Sequence, residues 1–339
     1  MNTLSIGSSG KTHTDAVLPD TSVLARDLNA VLRCRGNNGS DRLRIVQRTL
    51  NPHSSTFTSE IVTCAENGQC LNLLCKFDRP IRTLAREHRL GIAYEAAVYQ
   101  NALAESGDTV PRFYGYRPGD SKSMGWLALE HVTTGVKVQR TPHSHAIVEA
   151  ARWLGRFHAE QERKIAQSRA IGLRVMDDEF YRHGIESLGE TESRLVPGWL
   201  EHLCTMLSSR IGELIDSPMT LVHGEFYPNN ILFDLSRNRI LPVDWETAAL
   251  GAGEYDLAML TENWPGPVRT HCELAYSWER WGRNAPVAVA RRLQLARMHL
   301  AIRWFYNSID ANHEMRQRCV AQIARLAREA GWMNVPEES

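Results

Sequence analysis

Glu225, Asn230 five residues later, and Asp244 beyond a short turn-containing stretch put three oxygen-bearing side chains at a spacing that suits phosphoryl transfer. Moving a phosphoryl group needs a metal to screen the phosphate oxygens and a cation on the phosphates. It also needs a carboxylate to orient the attacking hydroxyl and accept its proton. Glu225 can be that carboxylate, with His223 two residues ahead of it. A hard divalent cation prefers oxygen ligands, and Asn230 and Asp244 supply an amide and a carboxylate, as magnesium on nucleotide phosphates commonly takes. Each residue alone has an ordinary structural alternative, because an Asn can end a turn and an Asp can cap the next element. The ordered set with its intervals kept is what carries the chemistry.

These residues must be held by the elements around them. Asn230–Phe233 and Ile240–Val243 are short apolar runs separated by the turn formers of Asp234–Asn238, which predicts a hairpin between the amide and the second carboxylate. The hairpin interrupts a mostly helical stretch in which Ile147, Ala151, Leu154 and His158 recur on one face. The earlier chain has a different period. A helix runs from Asp20 or Thr21 to about Arg33, and strands are predicted over Leu43–Leu50, Glu60–Cys64 and Leu71–Phe77 as an antiparallel meander. A helix through Tyr94–Tyr99 and two further strands, Pro111–Tyr116 and Gly125–Glu130, complete a small sheet with one internal helix. Thr133–Ser144 is turn-rich. The expected organisation is a flexible tail over residues 1–19, an N-terminal lobe over 20–132 and a C-terminal lobe over 133–339. Gly7-Ser8-Ser9-Gly10-Lys11-Thr12 in the tail imitates a phosphate loop, but two residues separate its glycines where the Walker pattern has four.

Catalytic loops of the form H-R-D-x-x-x-x-N place a base five residues before a metal-binding Asn and reach a metal-binding Asp through a hairpin. The chain follows that order. It resembles the aminoglycoside phosphotransferase and choline kinase family, whose members share the protein-kinase-like fold. The resemblance rests on Leu221-Val222-His223-Gly224-Glu225-Phe226-Tyr227-Pro228-Asn229-Asn230-Ile231-Leu232, Val243-Asp244-Trp245-Glu246 and Gly253-Glu254-Tyr255-Asp256-Leu257-Ala258. It extends more thinly to Leu154–Ala159 and the N-terminal lobe. It implies an α+β fold in two lobes, a small antiparallel sheet with one helix and a larger, mostly helical C-terminal lobe containing the hairpin. It also implies ATP and magnesium as cofactors. On this resemblance Lys76 contacts the α- and β-phosphates and Glu95 braces it, with Glu87 as the rival brace. Ser54 and Ser55 lie in the loop Asn51–Thr56, which has no glycine-rich pattern and either holds phosphate or is an ordinary polar turn. The same resemblance implies that the Glu130 carbonyl and Val132 amide take the adenine.

The departure is Glu225, where most members of the family and the kinase template have Asp. One added methylene carries the carboxylate further from the backbone, so either the loop or the bound hydroxyl must shift. That leaves a working base with adjusted geometry or a weakened enzyme. Asp256 is expected to anchor the loop after Asp244 by capping a helix, Glu246 to support the metal from behind, and His158 to be a buried structural histidine.

Composition narrows the substrate. The chain has 43% apolar residues and 39 basic against 39 acidic side chains, a balance with no footprint for nucleic acid or an anionic membrane. Seven cysteines without a C-x-x-C pair, and no stretch resembling a signal or a span, point to a cytoplasmic protein without a disulfide framework. From Thr261 to Ser339 there are 11 Arg and no Lys against eight Asp plus Glu, which does not favour a polycationic acceptor. Trp264, Trp278, Trp281, Trp304, Phe305 and Tyr306 could stack on a ring or be core, and Arg303 could hold an anionic group or be a surface arginine. The expected function is transfer of the ATP γ-phosphate to a hydroxyl of a small molecule such as a sugar, nucleoside or antibiotic-like metabolite. The alternative is a nucleotide-binding regulatory module with little turnover. A protein kinase is disfavoured by the missing glycine-rich loop and A-P-E segment.

Overall fold

The structure is a computed structural model that describes residues 18–33, 43–54, 57–66, 68–80, 90–120, 123–141, 145–170, 172–189, 196–307 and 313–332. The phosphate-loop imitation of the tail, Ser55 and Glu87 lie outside them. The chain divides into two units, one comprising the residues up to Ala96 with Arg112–Thr133, the other Ala97–Pro111 with the residues from Thr134 onward.

In the first unit, α1 (Thr21–Arg33) precedes a meander of β1 (Arg44–Leu50), β2 (Phe57–Glu66) and β3 (Gln69–Pro80). After α2 (Gly91–Ala97), strands β4 (Phe113–Arg117) and β5 (Trp126–Glu130) complete an antiparallel sheet in the order β1-β2-β3-β5-β4. Strands β2 and β3 are longer than the apolar runs predict, because the Phe57–Pro80 to Glu66–Gln69 ladder continues through polar side chains that backbone pairing does not exclude. Alternation gives the sheet its sides. Val62, Cys64, Leu73, Cys75, Phe77, Trp126 and Ala128 turn one way and pack with Leu24 and Leu28 of α1, which fall at i and i+4 on that helix. Lys76, between two of those core positions on β3, turns the other way.

The second unit is mostly helical: α3 (His145–Arg163), α4 (Ile165–Ala170), α5 (Asp178–Gly189), α6 (Gly198–Ser208) and α7 (Gly212–Ile215) come before the segment from His223 to Asp244. After it come α8 (Glu254–Thr261), α9 (Gly266–Trp281), α10 (Val289–Asn307) and α11 (His313–Glu329). Helices α3 and α9 touch at Gly155, where an added Cβ would lie 2.5 Å from the Tyr276 carbonyl oxygen. The predicted hairpin is present as β8 (Ile231–Asp234) and β9 (Arg239–Pro242). Three short strands were not legible in the sequence. The turn-rich stretch contains β6 (Gly135–Lys137), which pairs with β8, and β7 (Met219–Val222) pairs with β10 (Ala249–Ala252). Strands of three or four residues have too little alternation to stand out, and long-range pairing alone defines them. Their effect is local and decisive: His223–Asn230 is strung between the end of β7 and the start of β8, and Asp244 follows β9.

Candidate active site

Lys76 and Glu95 meet within the first unit. The Lys76 ammonium donates to both carboxylate oxygens of Glu95, at 2.9 and 2.8 Å, with the lysine 8% and the glutamate 0% exposed. A buried ion pair is rigid in this way because separating the charges in a poorly solvated interior is costly. The pair comes from a strand position facing away from the core and from α2. Ser54 is tied into its own turn: its hydroxyl donates to the Asn51 carbonyl at 2.9 Å, lies 2.6 Å from the Ser59 hydroxyl and accepts the Ser59 amide. Glu130 closes β5, its carboxylate accepts the Arg112 amide at 3.1 Å, and the next residue, His131, donates its amide to the Asn72 carbonyl. Val132 follows, half-buried.

Within the second unit the loop is fixed at almost every step. The Asn230 side-chain amide donates to the Glu225 carbonyl at 3.0 Å, so its carboxamide oxygen is the atom available to a cation. The Val243 amide donates to the Asn230 carbonyl at 2.9 Å, which brings the residue before Asp244 against the end of the loop. His223 spans the same two segments. Its Nε2–H donates to the Val243 carbonyl at 2.8 Å and its Nδ1 accepts the Glu225 amide at 3.3 Å, an arrangement that only the neutral ring can make. Burial pushes the His223 pKa below the ordinary histidine value in spite of the opposing pull of Asp256, and so preserves that neutral form. Asp244 adopts a left-handed backbone conformation, φ 67° and ψ 58°, which Asp tolerates better than most residues. Gly224 has φ 80°, and a Cβ there would lie 2.3 Å from the Thr247 carbonyl oxygen.

Asp256 corrects an expectation. It lies in the first turn of α8 but makes no cap; its two carboxylate oxygens accept the His223 amide at 2.6 Å and the Gly224 amide at 3.0 Å. The carboxylate thus holds the His223–Asn230 loop itself, from a position 0% exposed. Nor is His158 isolated: its Nε2 lies 3.3 Å from Asp256 and its Nδ1 2.9 Å from the Tyr276 hydroxyl. Burial keeps His158 below its ordinary pKa against the pull of Asp256, so the ring is neutral, donates through Nε2 and accepts the tyrosine proton. Arg280 in turn donates to Tyr276 and to Glu162. A directed chain therefore runs from Arg280 through Tyr276 and His158 to the loop-holding carboxylate. Tyr276 and Arg280 escaped the sequence reading because nothing in their spacing to His223 marks them. Glu246 is buried in the turn after Asp244.

The profile of the phosphotransferase enzyme family matches residues 73–297, more than half of the chain and all of the segment from Lys76 to Asp256. The chain belongs to that family. The fold of this phosphotransferase is the α+β, protein-kinase-like one of its solved relatives. The GDP and kanamycin complex of APH(2")-IIia is similar, with 14% identity, a TM-score of 0.62 and coverage of 88% of this chain and 98% of that one. So is the macrolide 2'-phosphotransferase MphH from Brachybacterium faecium, with 20% identity, a TM-score of 0.57, and coverage of 92% and 100%. Choline kinase LicA from Streptococcus pneumoniae shares 12% identity with a TM-score of 0.57 over 90% of this phosphotransferase and 98% of its own chain. No curated protein matches the sequence. Among the described residues no helix is long and apolar enough to cross a membrane, and no disulfide joins the described cysteines.

Proposed function

We propose that this phosphotransferase transfers the γ-phosphate of ATP to a hydroxyl of a small cytoplasmic metabolite, with magnesium as the cation and Glu225 as the base. The observation that carries the reading is the bonded connection Glu225–Asn230–Val243, which ties the backbone that bears the Glu225 carboxylate, the Asn230 amide and the segment of Asp244 together. Oxygen donors from an amide and a carboxylate, with the amide nitrogen already committed to the Glu225 carbonyl, suit magnesium. Asn230 and Asp244 would hold it. Magnesium, when bound, neutralises charge on the β- and γ-phosphate oxygens. Lys76, fixed by Glu95, would contact the α- and β-phosphates, and the Glu130 carbonyl and Val132 amide would take the purine. GDP and AMP in the names of structural neighbours support a purine nucleotide as the donor.

Glu225 would accept the hydroxyl proton as the acceptor oxygen bonds to the γ-phosphorus and the bond to the ADP oxygen breaks. The loop backbone is pinned at His223, Gly224, Glu225 and Asn230. The extra methylene of Glu225 is therefore taken up on the acceptor side rather than by the loop, which favours a working base over a decayed one.

The test is ADP release over a panel of small alcohols with and without magnesium, alongside nucleotide binding followed by thermal shift. Glu225→Gln is expected to bind nucleotide and lose turnover, and Glu225→Asp to be slower than the parent. A faster Glu225→Asp enzyme would identify the glutamate as a lesion, and binding without turnover on any alcohol would favour a regulatory module.

A further inference from the structure

Beside the loop, α10 brings Trp304 onto Tyr227 and Arg303 within electrostatic reach of Glu225. The Trp304 indole N–H donates to the Tyr227 hydroxyl at 3.0 Å, with the two rings 6.1 Å apart edge to face and Trp304 45% exposed. Arg303 is half-buried. Its guanidinium donates to the Tyr255 hydroxyl at 3.3 Å and lies 5.5 Å from the Phe180 ring centre. Among the described residues no carboxylate comes within salt-bridge distance of it.

The orientation of this guanidinium is built in. The His299 Nε2–H donates to the Tyr181 carbonyl at 3.0 Å, which leaves Nδ1 to accept the Tyr255 hydroxyl proton at 3.2 Å. Tyr255 oxygen is then free to accept from Arg303, so Arg303, Tyr255, His299 and the Tyr181 carbonyl form a one-way chain of donors like the one that ends on Asp256. Among the described residues one N–H of the guanidinium fork is used, on the Tyr255 hydroxyl, which leaves further donors of the fork for a ligand. Burial works against the charge on Arg303, but Tyr255, Tyr227 and Glu225 overcome it and hold the group above its ordinary pKa. Those same groups put the cation within electrostatic reach of the catalytic carboxylate. Glu262, another carboxyl near Tyr227, accepts a hydrogen bond from Gln322 at 3.0 Å, and burial raises its pKa.

A fixed, partly desolvated guanidinium with no carboxylate of the described residues at salt-bridge distance is costly unless a bound anion completes it. We infer that Arg303 selects the acceptor: the alcohol phosphorylated here carries an oxyanion, a carboxylate or a phosphate, that sits on the Arg303 guanidinium while the body of the molecule lies along Tyr227 and Trp304. This rests on the function proposed above. It separates this enzyme from kinases of polycationic acceptors, because an ammonium group beside Arg303 would be repelled.

The test uses the full-length enzyme and matched acceptors: aldoses and polyols against their aldonic, uronic and monophosphate forms, nucleosides against 5'-monophosphates, and amino sugars as the cationic arm. ADP release and product mass are measured for each. The oxyanion-bearing member of a pair should exceed its neutral counterpart by about tenfold or more in kcat/KM, the scale of one charge-assisted contact. Arg303→Met should bring that ratio near one and Arg303→Lys restore part of it. The carboxylate and phosphate arms tell the two oxyanions apart. Because the ratio is taken within each variant, partial unfolding cancels from it. Preference for neutral or amine-bearing acceptors, or no binding or turnover of any anionic member while ATP is still bound, overturns the assignment. So does an equal loss on all acceptors with a displaced pH profile in Arg303→Met, which would make Arg303 a partner of Glu225 alone. Failure to bind nucleotide at all would instead remove the parent reading.

Discussion

Asp256 accepts the backbone amide of His223 at 2.6 Å, so a carboxylate on α8 fixes the start of the loop that bears Glu225. In Asp256→Asn one acceptor oxygen becomes an N–H group facing an amide donor. Leaving a buried donor unpaired costs about 1–3 kcal/mol, and a displaced loop should lower kcat on the order of a hundredfold. Urea denaturation and steady-state kinetics measure the two effects. Nucleotide affinity should change far less than kcat, and a parallel fall in both would mean general unfolding instead.

Gly224→Ala places a Cβ 2.3 Å from the Thr247 carbonyl oxygen at a positive φ. Backbone strain alone costs roughly 1–3 kcal/mol, and the clash adds to it. The variant is expected to melt clearly below the parent and to lose turnover. A melting temperature equal to that of the parent would show that the loop can shift freely.

At Asp244 two substitutions should diverge. Asn tolerates the left-handed backbone that Asp244 adopts, whereas Ala does not. Asp244→Asn is therefore expected to retain parent stability and lose turnover through the missing charge. Asp244→Ala should lose turnover and also about 1 kcal/mol or more of stability. Calorimetry with ADP-release assays separates the conformational effect from the chemical one.

Lys76→Met leaves the fully buried Glu95 without its ammonium partner and should destabilise by about 3–5 kcal/mol. Adding Glu95→Leu is expected to restore most of that stability but none of the nucleotide affinity. If the double variant bound nucleotide like the parent, Lys76 would have a purely structural role.

Three buried histidines set a pH dependence. Burial pushes His158, His223 and His299 below the ordinary value of 6.5, His299 to about 3. As pH falls below 6.5 the unfolded chain takes up protons at these rings before the folded protein does. The stability they contribute is therefore full above pH 6.5 and is lost as pH drops through their lower folded values. Denaturant midpoints should change little just above that value and fall on the acid side. His299→Gln should reduce the acid slope.

The sequence by itself determined the loop, because its chemistry depends on short intervals along one stretch of chain. His223, Glu225, Asn230 and Asp244, with a hairpin between the last two, can be read from spacing and turn residues. The meander of the first three strands was legible from their apolar runs, and the place of Lys76 on the third strand from the family resemblance, whereas the pairing of β3 with β5 was not. Only the tertiary structure decided what Asp256, His158 and Arg303 do. Asp256 and His158 are 98 residues apart, and Asp256 holds His223 across 33. The partners that keep Arg303 charged and aimed come from α5, α8 and the loop. Hydrogen bonds between distant segments leave no period in either one. A buried carboxylate and a helix cap look alike in one dimension, and so do a surface arginine and an oriented one; packing alone tells them apart.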